Sequence, residues 1–216
     1  MLSADQPVKH NFSSPLQKTA SFNLHRSTSK TRLMTPEHAK HMWIITGPAG
    51  SGKTTVAEYL AAKLKFPYVE GDDWHTKANK DKMEHNIPLN DTDRWDWLEA
   101  LREESLRQLQ TSDNVVVTCS ALKQKYRDVM RVASVENRSV YVHFIYLKVD
   151  EATLKERVAQ RQGHYMKDSM VHSQMEALEE PDQKLEPDVI PVESRKDATE
   201  VQRNALEQLK AKLAEF

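Results

Sequence analysis

Eight residues, Gly47-Pro48-Ala49-Gly50-Ser51-Gly52-Lys53-Thr54, constrain this chain more than any other stretch. They satisfy the spacing G-x-x-x-x-G-K-[ST], and their flanks supply the context such a loop requires. Residues 42–46 read as a buried strand, and residues 54–64 as a helix with Val56, Ala57, Leu60, Ala61 and Leu64 on one face. Gly47, Gly50 and Gly52 let the backbone curl until its N–H groups converge, and the following helix adds the positive end of its dipole. Such a cradle suits phosphate oxygens. Lys53 would bring a point charge to the outer phosphates and Thr54 a hydroxyl for magnesium. The chain holds only five glycines; the two outside this loop, Gly71 and Gly163, fall in two further segments dense in polar chemistry.

Downstream, strand-like and helix-like segments alternate. Residues 67–70 make a short second strand. The polar stretch 75–110 is helical, with Leu98, Leu101, Leu106 and Leu109 striping its second half, and reads as an insertion over the sheet. Consecutive valines in 114–118 mark a third strand buried on both faces, and 140–147 a fourth. Asp150 caps a helix through residue 162, residues 188–192 form a fifth strand, and Asp197 with Glu200 opens a last helix carrying Leu206, Leu209 and Leu213. The expected fold class is α/β: a P-loop NTPase with a five-stranded, mainly parallel sheet, helices on both faces, a helical acceptor-side insertion and a lid.

A chain of 216 residues suits one domain. The 31 basic side chains balance 32 acidic ones, which argues against a nucleic-acid partner and for a small molecule. No apolar run approaches the roughly 20 residues of a bilayer span, so no membrane partner is expected. Cys119 is the single cysteine and cannot form an internal disulfide, which points to a reducing, cytoplasmic compartment. Residues 1–40 are rich in Ser, Lys and Arg and poor in apolar side chains. They are expected to form a disordered tail ahead of a kinase domain over 41–216, a mitochondrial transit peptide being the minor alternative.

The second strand ends in Glu70-Gly71-Asp72-Asp73-Trp74-His75, carboxylates placed where a parallel sheet opens its binding crevice. One of Asp72 and Asp73 could serve merely as a helix cap; a cap does not need both. From here the sequence resembles the gluconokinase family of small P-loop sugar-acid kinases. The resemblance rests on Gly-Asp-Asp-Trp-His with Asn79, Lys82-Met83, Pro88-Leu89-Asn90-Asp91-Thr92-Asp93-Arg94 with Trp97-Leu98, Cys119-Ser120-Ala121-Leu122-Lys123 with Tyr126-Arg127-Asp128, and Arg161-Gln162-Gly163-His164-Tyr165-Met166 with Ser173-Gln174 and Leu178-Glu179. Thr76, Asp96 and Asn86 depart mildly from its usual pattern.

The resemblance implies ATP-dependent phosphorylation of D-gluconate at its 6-hydroxyl, with ATP and Mg2+ required, and it leans towards a homodimer. Nucleotide binding would fall to Gly47, Pro48, Ala49, Gly50, Ser51, Gly52, Lys53, Thr54 and Thr55, with Arg157 against the adenine, Arg161 on the phosphates and Pro191 in a loop beside the adenine. Catalysis would rest on Lys53, Asp72 and Arg161. Asp72, Asp73, His75, Lys82, Arg94, Lys123, Arg127, His164 and Gln174 would meet the acceptor. Arg127 is the leading choice for the substrate carboxylate, because arginine can grip a carboxylate with two parallel hydrogen bonds. Magnesium would be held by Thr54, with Glu70 or Asp72 on its water. Another small-molecule kinase of this fold, for shikimate or a nucleoside monophosphate, would differ in residues 71–130, and a nucleotide switch would lack the acidic cluster and lid arginines.

Overall fold

A computed structural model of the chain describes residues 39–85, 87, 89–160, 168–195 and 197–216. The tail expected over 1–40 is thus almost wholly outside the described residues, as are Arg161, Gly163 and His164 of the lid.

Five strands, β1 (Lys40–Thr46), β2 (Tyr68–Val69), β3 (Asn114–Thr118), β4 (Val140–Lys148) and β5 (Val189–Glu193), form one sheet in the order β2-β3-β1-β4-β5, with every pairing parallel. Seven α-helices are described: α1 (Lys53–Leu64), α2 (Lys77–Glu84), α3 (Asp91–Gln108), α4 (Gln124–Glu136), α5 (Glu151–Gln160), α6 (Asp168–Ala177) and α7 (Ala198–Leu213). None of them is long and apolar enough to cross a membrane.

Strand geometry explains why β1 reads as an unbroken apolar run. Successive side chains leave opposite faces, so Met42 and Ile44 join Val115, Val117, Phe144, Trp97, Leu101 and Met130 under α3 and α4. Trp43 and Ile45 instead join Val116, Ile145, Leu60 and Leu209 under α1 and α7. Both faces are covered, as a fully parallel sheet requires. Each buried Leu or Ile contributes about 1.5–3 kcal/mol. A third, smaller cluster of Val149, Leu154, Val158 and Val171 ties α5 to α6. Asn90 and Asp93 open α3 with a reciprocal capping box, while Asp197 caps α7 by accepting from the Thr199 and Glu200 N–H groups.

Because all five strands run the same way, Thr46, Val69 and Thr118 end at one edge. The connection after β1 runs to β2 on one side and the connection after β3 crosses to β4 on the other, and that change of direction opens a crevice at the carboxyl edge. One glycine fixes the approach there. Gly71 donates its N–H to Thr118 Oγ1 at 2.9 Å and accepts from Trp97 Nε1 at 2.7 Å. A Cβ at Gly71 would stand 2.1 Å from the Thr118 carbonyl oxygen. Gly71→Ala is therefore expected to destabilise the fold by about 3 kcal/mol, because the obstacle is backbone and cannot swing aside. Urea unfolding measures this, and a loss below about 1 kcal/mol would show that the 71–74 turn relaxes freely.

Candidate active site

The phosphate loop joins β1 to α1. Gly47, Gly50 and Gly52 all have positive φ, 142°, 83° and 96°. Gly52 caps α1 in the left-handed region with open space where a Cβ would project, so the loop's curl leaves room beside the helix N-terminus. Lys53 Nζ lies 3.1 Å from the Pro48 carbonyl and closes the curl from within. The loop is anchored from β3: Gly47 N–H and Thr46 Oγ1 both donate to the Ser120 carbonyl, at 3.3 and 2.6 Å. Ser51 Oγ is buried without a hydrogen-bond partner.

Beside the loop lies a cleft of about 390 Å³ lined by Gly50, Gly52, Thr55, Arg157, Ser194 and Asp197, among others. Arg157 donates to Ser194 Oγ at 3.1 Å and to the Ser194 carbonyl, and Ser194 Oγ donates to the Ser51 carbonyl at 2.8 Å. An apolar floor with a guanidinium at its wall suits a purine ring.

Facing the loop from β2 is Glu70. Its carboxylate accepts from Thr54 Oγ1 at 3.1 Å and from the hydroxyls of Tyr68 and Thr118. Burial works to raise its pKa, but these three donors outweigh burial and hold the carboxyl below its usual range. The same contact, together with burial as the larger cause, pushes the Tyr68 phenol up. An ionised carboxylate beside a hydroxyl, both hard oxygen donors, fits a magnesium ion and its water. Asp72 and Asp73 follow in a 3-10 turn, Gly71–Trp74, and both are exposed. Burial pushes the Cys119 thiol up to about 12, and the charges of Lys53 and Asp72 both act on it, in opposite senses.

On the acceptor side, His75 is buried and stacked on Trp97, ring centroids 4.2 Å apart. Its Nε2 lies 3.9 Å from Asp72 Oδ1, while its Nδ1 is buried without a partner. Burial lowers its pKa, so the ring is neutral at pH 7. Lys82 pairs with Asp93 at 2.6 Å, and Lys123 lies 3.4 Å from Asp91, which also binds Lys125 and the Tyr126 hydroxyl. Arg94 donates to the Leu89 carbonyl and stands over the Tyr126 ring.

Three residues stand in other surroundings than expected. Arg127 does not face a substrate: it is 1% exposed and commits its guanidinium internally. Nε and Nη2 grip Glu186 at 2.7 Å each, Nη1 donates to the Ala121 and Leu122 carbonyls, and Nη2 also reaches the Glu179 carbonyl. The bidentate geometry expected of Arg127 is present, but its carboxylate is the chain's own. Gln174, expected on the acceptor, accepts through Oε1 from the Ala49 N–H at 2.7 Å and so sits on the phosphate loop. Pro191 lies within the edge strand β5, exposed and paired with Tyr146 of β4, a position that tolerates a missing N–H. The residues after β5 that border the cleft are Ser194, Asp197 and Ala198. Arg161 and His164 lie outside the described residues.

Sequence reasoning singled out neither Glu186 nor Ser194. Glu186 stands 59 residues from Arg127 and carries no local signal. Ser194 follows β5 as an ordinary polar residue, and only the packed sheet brings it to Ser51.

A family model described as an AAA domain matches residues 42–187. Over 144 residues the chain is 48% identical to a probable gluconokinase of Schizosaccharomyces pombe, covering 66% of this chain and 74% of the relative. It is 38% identical over 163 residues to the thermosensitive gluconokinase of Escherichia coli, covering 76% and 84%. Among solved structures, a gluconokinase from Sinorhizobium meliloti superposes with a TM-score of 0.69 at 37% identity, covering 82% of this chain and 94% of that one. With the loop, the acidic turn and the basic acceptor shell at one edge of a parallel sheet, the chain belongs to the gluconokinase family.

Proposed function

We propose that this protein transfers the terminal phosphoryl group of ATP to the 6-hydroxyl of D-gluconate, giving 6-phospho-D-gluconate and ADP. The observation that carries the reading is the contact between the phosphate loop and the acidic segment after β2, Thr54 Oγ1 donating to Glu70 at 3.1 Å, which sets the phosphate cradle beside the acceptor-side carboxylates. Family membership supports the choice of gluconate.

In this reading the adenine occupies the cleft beside Arg157, and the loop amides with Lys53 bind the phosphates. Thr54 and Glu70 would hold magnesium, directly or through its water; when bound, the ion neutralises charge that builds between the outer phosphates. Asp72 orients the 6-hydroxyl and takes its proton as the oxygen bonds to the terminal phosphorus and the bond to ADP breaks. His75, Lys82, Arg94, Lys123 and Asp73 form the acceptor shell. Catalysis is assigned to residues 41–216, in the cytoplasm, with a homodimer as the assembly.

The test is ADP release with gluconate or glucose as acceptor. Gluconate should be turned over at least about 10²-fold more efficiently, since a neutral sugar lacks the carboxylate that an acceptor-side cation would meet. Equal turnover on both would contradict the sugar-acid reading. In the same assay Asp72→Asn should lower kcat by about 10² with the KM for ATP unchanged. If Asp73→Asn gave the larger loss, the two carboxylates would exchange roles.

A further inference from the structure

The acceptor side is crowded with cations, yet nearly all have a carboxylate of their own. Lys82 is matched by Asp93, Lys123 and Lys125 by Asp91, Arg127 by Glu186, and Arg131 by Asp188, Glu186 and Asp128. Lys80 is exposed and donates to the Asp73 carbonyl. Arg94 differs. It is half-buried, Nη1 donates to the Leu89 carbonyl, the guanidinium also hydrogen-bonds the Tyr126 hydroxyl, and among the described residues no carboxylate lies within ion-pair distance of it. A half-buried guanidinium with most of its donors unspent is costly unless an anion arrives to meet it.

Its surroundings fix where it stands. The guanidinium carbon is 5.7 Å from the centre of the Tyr126 ring, whose hydroxyl is held by Asp91. Arg94 lies three residues before Trp97 on α3 and so shares a face with the ring on which His75 stacks, and His75 Nδ1 is a buried polar atom without a partner. One cation that can fork onto a carboxylate, next to one neutral ring nitrogen that can meet a hydroxyl, matches the two functional groups of a sugar acid.

We infer that Arg94 receives the carboxylate of the acceptor and sets the enzyme's preference for sugar acids over neutral sugars; this rests on the function proposed above. Arg127 has no part in that recognition. The lysines of the shell shape its potential while paired to their own acids.

The experiment compares D-gluconate with D-gluconamide, which has the same hydroxyls and a neutral end, in the parent, Arg94→Met and Arg94→Lys. Arg94→Met should cut kcat/KM for gluconate by about 10², while gluconamide turnover and the KM for ATP change less than about threefold. Arg94→Lys should fall between the two, because it keeps the charge and loses the fork, and it carries the test should the methionine variant fold poorly. Equal losses on gluconate and gluconamide would overturn the inference and leave the proposed function standing. So would a selective loss of gluconate in Lys123→Met that Arg94→Met lacks. A parent enzyme that turned over neither compound would overturn the proposed function, and this inference with it.

Discussion

Lys53→Ala is expected to lower kcat by about 10³ or more while leaving the unfolding midpoint unchanged. The lysine begins α1 and reaches back over the loop to Pro48, and it belongs to neither face of the hydrophobic core. Its removal leaves sheet packing intact and takes a side-chain charge away from the phosphate cradle. Stopped-time assays of ADP formation at saturating gluconate, beside a thermal melt, give both readings. Turnover within about tenfold of the parent would contradict the assignment of the loop, since phosphate electrostatics should contribute a few kcal/mol.

Arg127→Met should be the most damaging single change to the fold outside the apolar core, at about 3–5 kcal/mol. The substitution leaves Glu186, itself 5% exposed, with only Arg131 as a cation, and strips donors from three backbone carbonyls. Ala121, one of the three, sits at φ 38°, a left-handed conformation that costs about 1 kcal/mol or more for a residue with a Cβ. The Arg127 bond to its carbonyl helps hold it there. That loop also carries Ser120, the anchor of the phosphate loop. Glu186→Leu in the Arg127→Met background should restore at least half of the loss, because a buried charge without its partner costs more than an apolar pair. Burial alone would raise the Glu186 pKa, but its bonds to the two arginines prevail and hold it below the usual range. The pair's contribution is therefore fully present above the unfolded glutamate pKa of about 4.3 and is lost as pH falls through the lower folded value. Denaturant curves at pH 7 measure the effect. A variant as stable as the parent that bound gluconate weakly would return Arg127 to the substrate.

How much of this was legible beforehand follows the range of the interactions. Strands β1, β3 and β4 announce themselves as apolar runs because both faces of a parallel sheet are buried. The phosphate loop is contiguous, so spacing alone reveals it, and the caps Asp150 and Asp197 act within three residues of themselves. The errors concern residues whose role depends on a distant partner. Arg127 has the right chemistry for a substrate carboxylate, and nothing within its neighbourhood in sequence indicates that Glu186 has already taken it. Gln174 reaches Ala49 across 125 residues. Glu70 and Asp72, two apart, part company because β2 ends at Val69, and the 3-10 turn that follows sends Asp72 into solvent while Glu70 turns to Thr54.

The central claim is that a phosphoryl group moves from ATP to one particular hydroxyl of a sugar acid, and phosphorus-31 NMR of the reaction of enzyme, ATP and D-gluconate tests it most directly. The account predicts a single new phosphomonoester resonance coupled to the two protons on carbon 6, growing in step with ADP. Inorganic phosphate in place of that ester would contradict it, as would an ester at any other carbon.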